Sequence, residues 1–265
     1  MIVSGIWFLI IIGFLLTSVV QGMMFMFTHH VNNILIYALI GLVLTGGLEG
    51  ILVLRLRSTI TSYSKYWHSS AKHDPTHLLY VALGDSAAQG IGASSIDHSY
   101  VEIVARHITK QTGRIVDVVN LSKSGGKLRD VLTDQLPELS KLKPDFVTID
   151  IGANDVVGGT SRDEMTHGYD QLISQLRVYP VVFANIPDFM LGTQQQTTQD
   201  MNKAIKELCL HYGVRQADLN EATIRKMWSL NQFAADGFHS SNAGHSTWAS
   251  AFIPSIDKLI VTDAA

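Results

Sequence analysis

Cysteine is almost absent from this 265-residue chain, charge is sparse, and several catalytic signatures are missing. The lone Cys209 excludes an intrachain disulfide framework. It leaves the compartment open, because a domain of this size does without disulfides anywhere. Charged residues make up only 16% of the chain against 46% hydrophobic ones, a balance that excludes dominant disorder. From residue 77 onward, 16 basic residues face 21 acidic ones with no basic stripe, which argues against nucleic-acid binding. No HExxH or cysteine pair marks a zinc site, and no GxSxG elbow is present. Gly90-Ile91-Gly92 is not completed to GxGxxG, and no P-loop lysine follows it. There is no internal repeat.

The missing charge is concentrated at one end. Residues 1–54 contain no lysine or arginine, and Glu49 is their one acid. Residues 2–27 form an almost wholly apolar run, and 33–54 form a second; each reaches the roughly 20 residues that cross a bilayer as a helix. With the short connection at 28–33, they predict a transmembrane helical hairpin over 1–54. A cleaved leader fits poorly, because no basic segment precedes the first run. Arg55, Arg57, Lys65 and Lys72 follow the second run, so the positive-inside tendency places both termini and the rest of the chain in the cytoplasm; a single span would reverse that. These bases also make an interfacial position the expectation for Glu49. Residues 55–76 read as a linker or as a short helix at headgroup level, with Leu56, Ile60, Tyr63 and Trp67 at helical spacing and aromatic anchors.

From residue 77 to 265 short apolar runs alternate with amphipathic stretches. Strands are expected at 77–83, 115–120, 146–151, 181–185 and 214–218. Helices are expected at 100–111, 128–142, 163–178, 199–212 and 242–260, with Gly113 and Gly213 as stops. Strict alternation predicts an α/β domain, a mostly parallel sheet covered on both faces. In such sheets chemistry gathers beyond the carboxyl ends of the strands. Those ends carry Gly84-Asp85-Ser86, then Asn120-Leu121-Ser122-Lys123-Ser124-Gly125, then Gly152-Ala153-Asn154-Asp155; Asp236-Gly237-Phe238-His239 precedes the last helix.

These residue types suit acyl transfer, which needs a nucleophile, a base, a group that orients the base, and donors for an oxygen that becomes negative. Ser86 supplies the hydroxyl and His239 the imidazole. Asp236 orients the imidazole if its loop folds back. The Ser86 and Gly125 N–H groups and the Asn154 amide form the oxyanion hole. Each motif alone is an ordinary turn or cap, and Asp85 and Asp155 keep that bracing role. Their joint order is what points to a site.

The set resembles the SGNH, or GDSL-type, hydrolases over roughly residues 77–260, with Ser86, Gly125, Asn154 and His239 at the family's four named positions. Ala87 stands where the family name has Leu, and Ser240 where Pro often follows the histidine. The resemblance implies a three-layer α/β/α, flavodoxin-like fold with a five-stranded sheet, and a serine esterase or lipase acting through an acyl-enzyme. It implies no cofactor and no metal. Expected partners are an acyl-ester substrate, lipid or acylated glycan, and membrane lipid. The alternatives are a glycan or lipid O-deacetylase or acyltransferase, and a catalytically silent tethered binding module. His245 is a rival base, and Asp236, His239 and His245 a conceivable metal set. The other histidines are read as structural.

Overall fold

The computed structural model describes residues 12–22, 31–188, 193–226 and 229–263. Five strands form one parallel sheet: β1 (Leu78–Gly84), β2 (Val116–Asn120), β3 (Phe146–Asp150), β4 (Val181–Ala184) and β5 (Arg215–Ala217). Their order is β2-β1-β3-β4-β5, so the chain steps out to one edge, returns past β1 and fills the other side. This is the doubly wound order in which ligands sit where the winding reverses, at the β1/β3 boundary.

Every residue of β1 is buried, as expected of a strand with helices on both faces. Alternation sends Leu79, Val81 and Leu83 into one core, with Val147 and Ile149 of β3. Leu78, Tyr80 and Ala82 enter the other, with Phe146, Val182 and Ala184. The first core is closed by α8 (Arg162–Leu176) and α9 (Thr193–Tyr212), and the second by α4 (Tyr100–Thr112) and α11 (Asn242–Asp263). Gly113 ends α4 and Gly213 follows α9, as expected. The expected α/β/α fold with a five-stranded parallel sheet is therefore what the chain adopts.

The apolar end is described only in part. Of the first run, only α1 (Ile12–Gly22) is described, too short by itself to span; the rest of that run and residues 28–30 of the connection lie outside the described residues. The second run belongs to α2 (Val31–Ser70), which continues through residue 54 without a break. No proline or glycine interrupts residues 51–70, so nothing stops the helix at the span's end. Residues 55–70 are thus helical, one of the two forms expected for this stretch, and continuous with the apolar part. Among the described residues, α2 is the one helix long and apolar enough to cross a membrane. Its Leu39, Val43, Leu44 and Leu54 are 61–68% exposed.

The aromatic stripe is used differently from the expected headgroup anchor. Trp67 is buried in the second core, and its indole N–H donates to the Gln89 carbonyl at 3.0 Å. Tyr63 donates its hydroxyl to the Ala93 carbonyl at 2.9 Å. Two side chains one turn apart thus fix the end of α2 to the segment that leaves β1.

Candidate active site

Ser86 opens α3 (Ser86–Gln89), a one-turn helix that starts where β1 ends. The reversal needs Gly84, whose φ of +136° is open to glycine and whose added Cβ would run into the Asp150 carbonyl of the paired β3. Asp85 caps the turn: its Oδ1 accepts from the Ala87 N–H at 3.0 Å. Ser86 is buried, and among the described residues its hydroxyl and backbone N–H have no hydrogen-bond partner.

The loops after β2 and β3 close on the same turn. Asn154, in α7 (Ala153–Val157), donates through its amide nitrogen to Asp85 Oδ2 and to the Gly126 carbonyl, each at 3.0 Å. That brings together the predicted serine turn, glycine loop and asparagine. The amide, however, already has both hydrogens engaged. The backbone N–H of Gly125 has no partner among the described residues. Asp155 braces rather than reacts, accepting from the Leu128 N–H at 3.0 Å.

The histidine lies in a hairpin closed by the antiparallel bridge between Phe233 and Ser240. The loop folds back as required: Asp236 Oδ2 lies 2.6 Å from His239 Nδ1, and its Oδ1 accepts from the Phe238 and His239 N–H groups at 3.0 Å. Burial pushes the Asp236 carboxyl up, but the His239 ring and the two N–H groups outweigh it and hold it below its ordinary value. With Nδ1 occupied, Nε2 is the ring atom left for proton transfer. The hairpin docks on the segment following α3 at Gly92, where a Cβ would come within 3.0 Å of His239 Cβ and run into the Ser240 carbonyl. No hydrogen bond joins Ser86 to His239 among the described residues. Such bonds are often long without substrate.

His245 is engaged within the fold at both ring nitrogens. It is fully buried; its Nδ1 accepts from the Tyr100 N–H at 3.4 Å and its Nε2 faces the Ile91 carbonyl at 3.2 Å. Both nitrogens are spent on holding the chain after α3 to α4 and α11. Among the described residues no group of three metal-binding side chains occurs. His107 joins α4 to α11 through Asp257 at 2.6 Å, and His73 and His77 flank Asp117. Burial depresses the His245 pKa from 6.5 to about 4. The neutral ring is the folded form, so its stabilisation is complete above pH 6.5 and is lost as pH falls toward 4. The loss amounts to about 3 kcal/mol. Denaturant unfolding across that range is expected to show this decline in the native chain and a flatter profile in His245→Asn.

Two supports under the turn were not foreseen. Gln135, buried in a π-helical segment (Val131–Gln135) between α5 (Leu128–Asp130) and α6 (Leu136–Leu139), clasps Gly84 twice, accepting from its N–H and donating to its carbonyl at 2.8 Å. Asp150 accepts from the Trp248 indole N–H at 2.8 Å. Burial, and for Asp85 the nearby Asp150, push both carboxyls up.

The sheet order and the helices on both its faces define a doubly wound α/β/α domain. Residues 82–246 match the GDSL-like lipase/acylhydrolase family, and the chain belongs to it; it is a carboxylic ester hydrolase. No curated protein matches the chain. Solved structures share its fold. One is LAE5, an alpha/beta hydrolase enzyme from the metagenome of Lake Arreo, Spain, at 22% identity, 69% of this chain, 96% of its own and a TM-score of 0.59. Another is an acetylxylan esterase from Geobacillus stearothermophilus, at 21%, 69%, 96% and 0.57. A lipase/acylhydrolase from Enterococcus faecalis gives 22%, 68%, 95% and 0.56.

Proposed function

We propose that this chain is a membrane-anchored serine ester hydrolase that cleaves acyl esters of a lipid or an acylated glycan through an acyl-enzyme on Ser86. His239 Nε2 takes the Ser86 proton as the oxygen attacks the ester carbonyl, then returns it to the leaving alcohol; water repeats the sequence in reverse roles. Asp236 fixes the ring and stabilises the imidazolium. The N–H groups of Ser86 and Gly125 receive the developing oxyanion, and Asn154 joins them by releasing Asp85 or Gly126. The observation that carries this reading is the 2.6 Å contact between Asp236 and His239 on a hairpin docked against the chain that leaves Ser86.

Anchoring is supported by the exposed apolar face of α2. Two spans, with the hydrolase domain in the cytoplasm, follow from the residue 2–27 run and the bases after residue 54. A fluorophosphonate probe is expected to add one label per chain, at Ser86 by peptide mapping. An unlabelled Ser86 in folded protein overturns the nucleophile and leaves the silent binding module standing.

A further inference from the structure

The path of α2 past the domain sets which way the site faces. Beyond its end the chain reaches the amino edge of the sheet, where the Asp74 N–H donates to Asp117 Oδ2 at 2.7 Å, beside the start of β2. About one turn back from Ser70, Trp67 meets the Gln89 carbonyl; a further turn back, Tyr63 meets the Ala93 carbonyl. Just upstream, Thr61 faces the loop after β2 across a cleft whose other side carries Lys123 and Ser124. The Lys123 N–H donates to the Gly84 carbonyl at 3.1 Å, which puts that loop level with the carboxyl end of β1. α2 therefore runs antiparallel to the strands, and its apolar part, 33–54, leaves the domain past the edge that carries Ser86, Gly125 and Asn154.

Distances along the helix set the height. From Leu54 to Thr61 the rise is about 10 Å, against a headgroup layer about 5–8 Å deep on each side of the hydrocarbon. With 33–54 in a bilayer, the loop holding Ser124 and Gly125 stands close above the headgroups. The opposite edge stands farther off by the length of β1, about 20 Å. The edge turned toward the lipid also carries exposed apolar side chains: Phe238, 37% exposed beside His239, and Val157, 47% exposed at the end of α7. These two alone decide nothing, since Ile115 and Val178 are exposed at the amino edge as well. The direction in which α2 departs is what separates the edges.

We infer that the carboxyl edge of the sheet is the membrane-facing surface of the domain, and that the site takes its ester from the leaflet that α2 leaves. The inference rests on the anchored esterase reading and adds to it an orientation and a substrate source: an acyl ester held in the bilayer, not a soluble glycan ester. It holds for either sidedness, because the domain always stands on the side from which residue 55 emerges. An ester whose carbonyl lies at headgroup depth needs only a short rise to reach Ser86. That matters because each methylene drawn out of the hydrocarbon costs about fourfold in population.

The test uses the full chain in phosphatidylcholine vesicles. In a Cys209→Ala background, Val157→Cys, Phe238→Cys, Ile115→Cys and Val178→Cys each carry a fluorophore, and a nitroxide on the lipid headgroup reports proximity by quenching. Quenching is expected at 157 and 238 and not at 115 or 178, in chains whose circular dichroism matches the native one. Quenching at the amino edge, or at neither edge, overturns the orientation. A second arm keeps Cys209 and inserts seven helix-forming residues after Arg57, two turns that lift the domain about 10 Å and rotate it by only about 20°. Hydrolysis of 4-methylumbelliferyl palmitate held in the same bilayer is then expected to fall about tenfold or more, with soluble p-nitrophenyl butyrate turned over as before. Equal hydrolysis of the palmitate by native and lengthened chains, or by neither, overturns the leaflet as the source. Butyrate turnover dependent on Ser86 keeps the esterase reading through any of these failures. Quenching at 157 and 238 without Ser86-dependent turnover removes that reading while the orientation stands.

Discussion

Ser86→Ala is expected to lower kcat for p-nitrophenyl butyrate by at least about 10⁴-fold. The thermal midpoint should stay within a few degrees of the native value. The physical reason for the first expectation is that no other hydroxyl begins α3, and the neighbouring donors, which polarise the carbonyl, supply no nucleophile. The reason for the second is that the Ser86 side chain bonds to nothing among the described residues, so alanine removes one oxygen and leaves Asp85, Gln135 and Asn154 in their contacts. Stopped turnover with intact circular dichroism and an unchanged midpoint is the result to look for. Retained turnover moves the nucleophile elsewhere.

Asp236→Asn is expected to cost on the order of 10⁴-fold in kcat near neutral pH. An amide in place of the carboxylate keeps the shape of the hairpin, since its oxygen still accepts from the Phe238 and His239 N–H groups. Toward His239 Nδ1 it then presents an N–H donor, which loses both the tautomer control and the charge that offsets the imidazolium. The carboxyl is held below its ordinary value, so it stays ionised far into acid. In the native chain the kcat/KM profile is then expected to show no separate Asp236 carboxylate step near neutral pH. Recovery of the variant's rate at high pH, where hydroxide substitutes for the missing base, would fit this account. A loss below tenfold would remove Asp236 from the machinery.

The architecture was largely readable because burial on both faces leaves a simple pattern. Each of the five expected strands is found within a residue or two of its bounds, since runs such as Leu79 to Leu83 allow few alternatives to a central strand. Where polar residues dominate, the reading shortened or missed elements. The described N-terminal part of α9 is Thr and Gln with no apolar rhythm, and the helix already includes Thr193, ahead of the expected 199. α7, and α10 (Leu219–Ile224), are too short to show a period.

The motif residues were visible for a different reason: chemistry restricts their types. Their supports were not. Gln135 sits in an amphipathic stretch where glutamine ordinarily faces water, and only the three-dimensional path of β1 reveals that it holds Gly84. Trp67 was recognised as an anchor but given the wrong substrate, because spacing alone does not distinguish a lipid surface from a protein one. The sequence points to the Asn154 amide as an oxyanion donor, and only coordinates show that Asp85 and Gly126 occupy it.

The unbroken path of α2 has a mechanical outcome. From Leu54 to Ser70 the helix rises about 24 Å at its usual pitch, with Trp67 locked into the domain near its top. With its apolar part in a bilayer, this helix is a stiff mast, not a tether. On the proposed anchoring, the hydrolase keeps one height and one tilt above the lipid and cannot sweep for distant esters. Encounter becomes a planar search, in which turnover follows the surface density of the ester and the thickness of the membrane that sets the mast's depth.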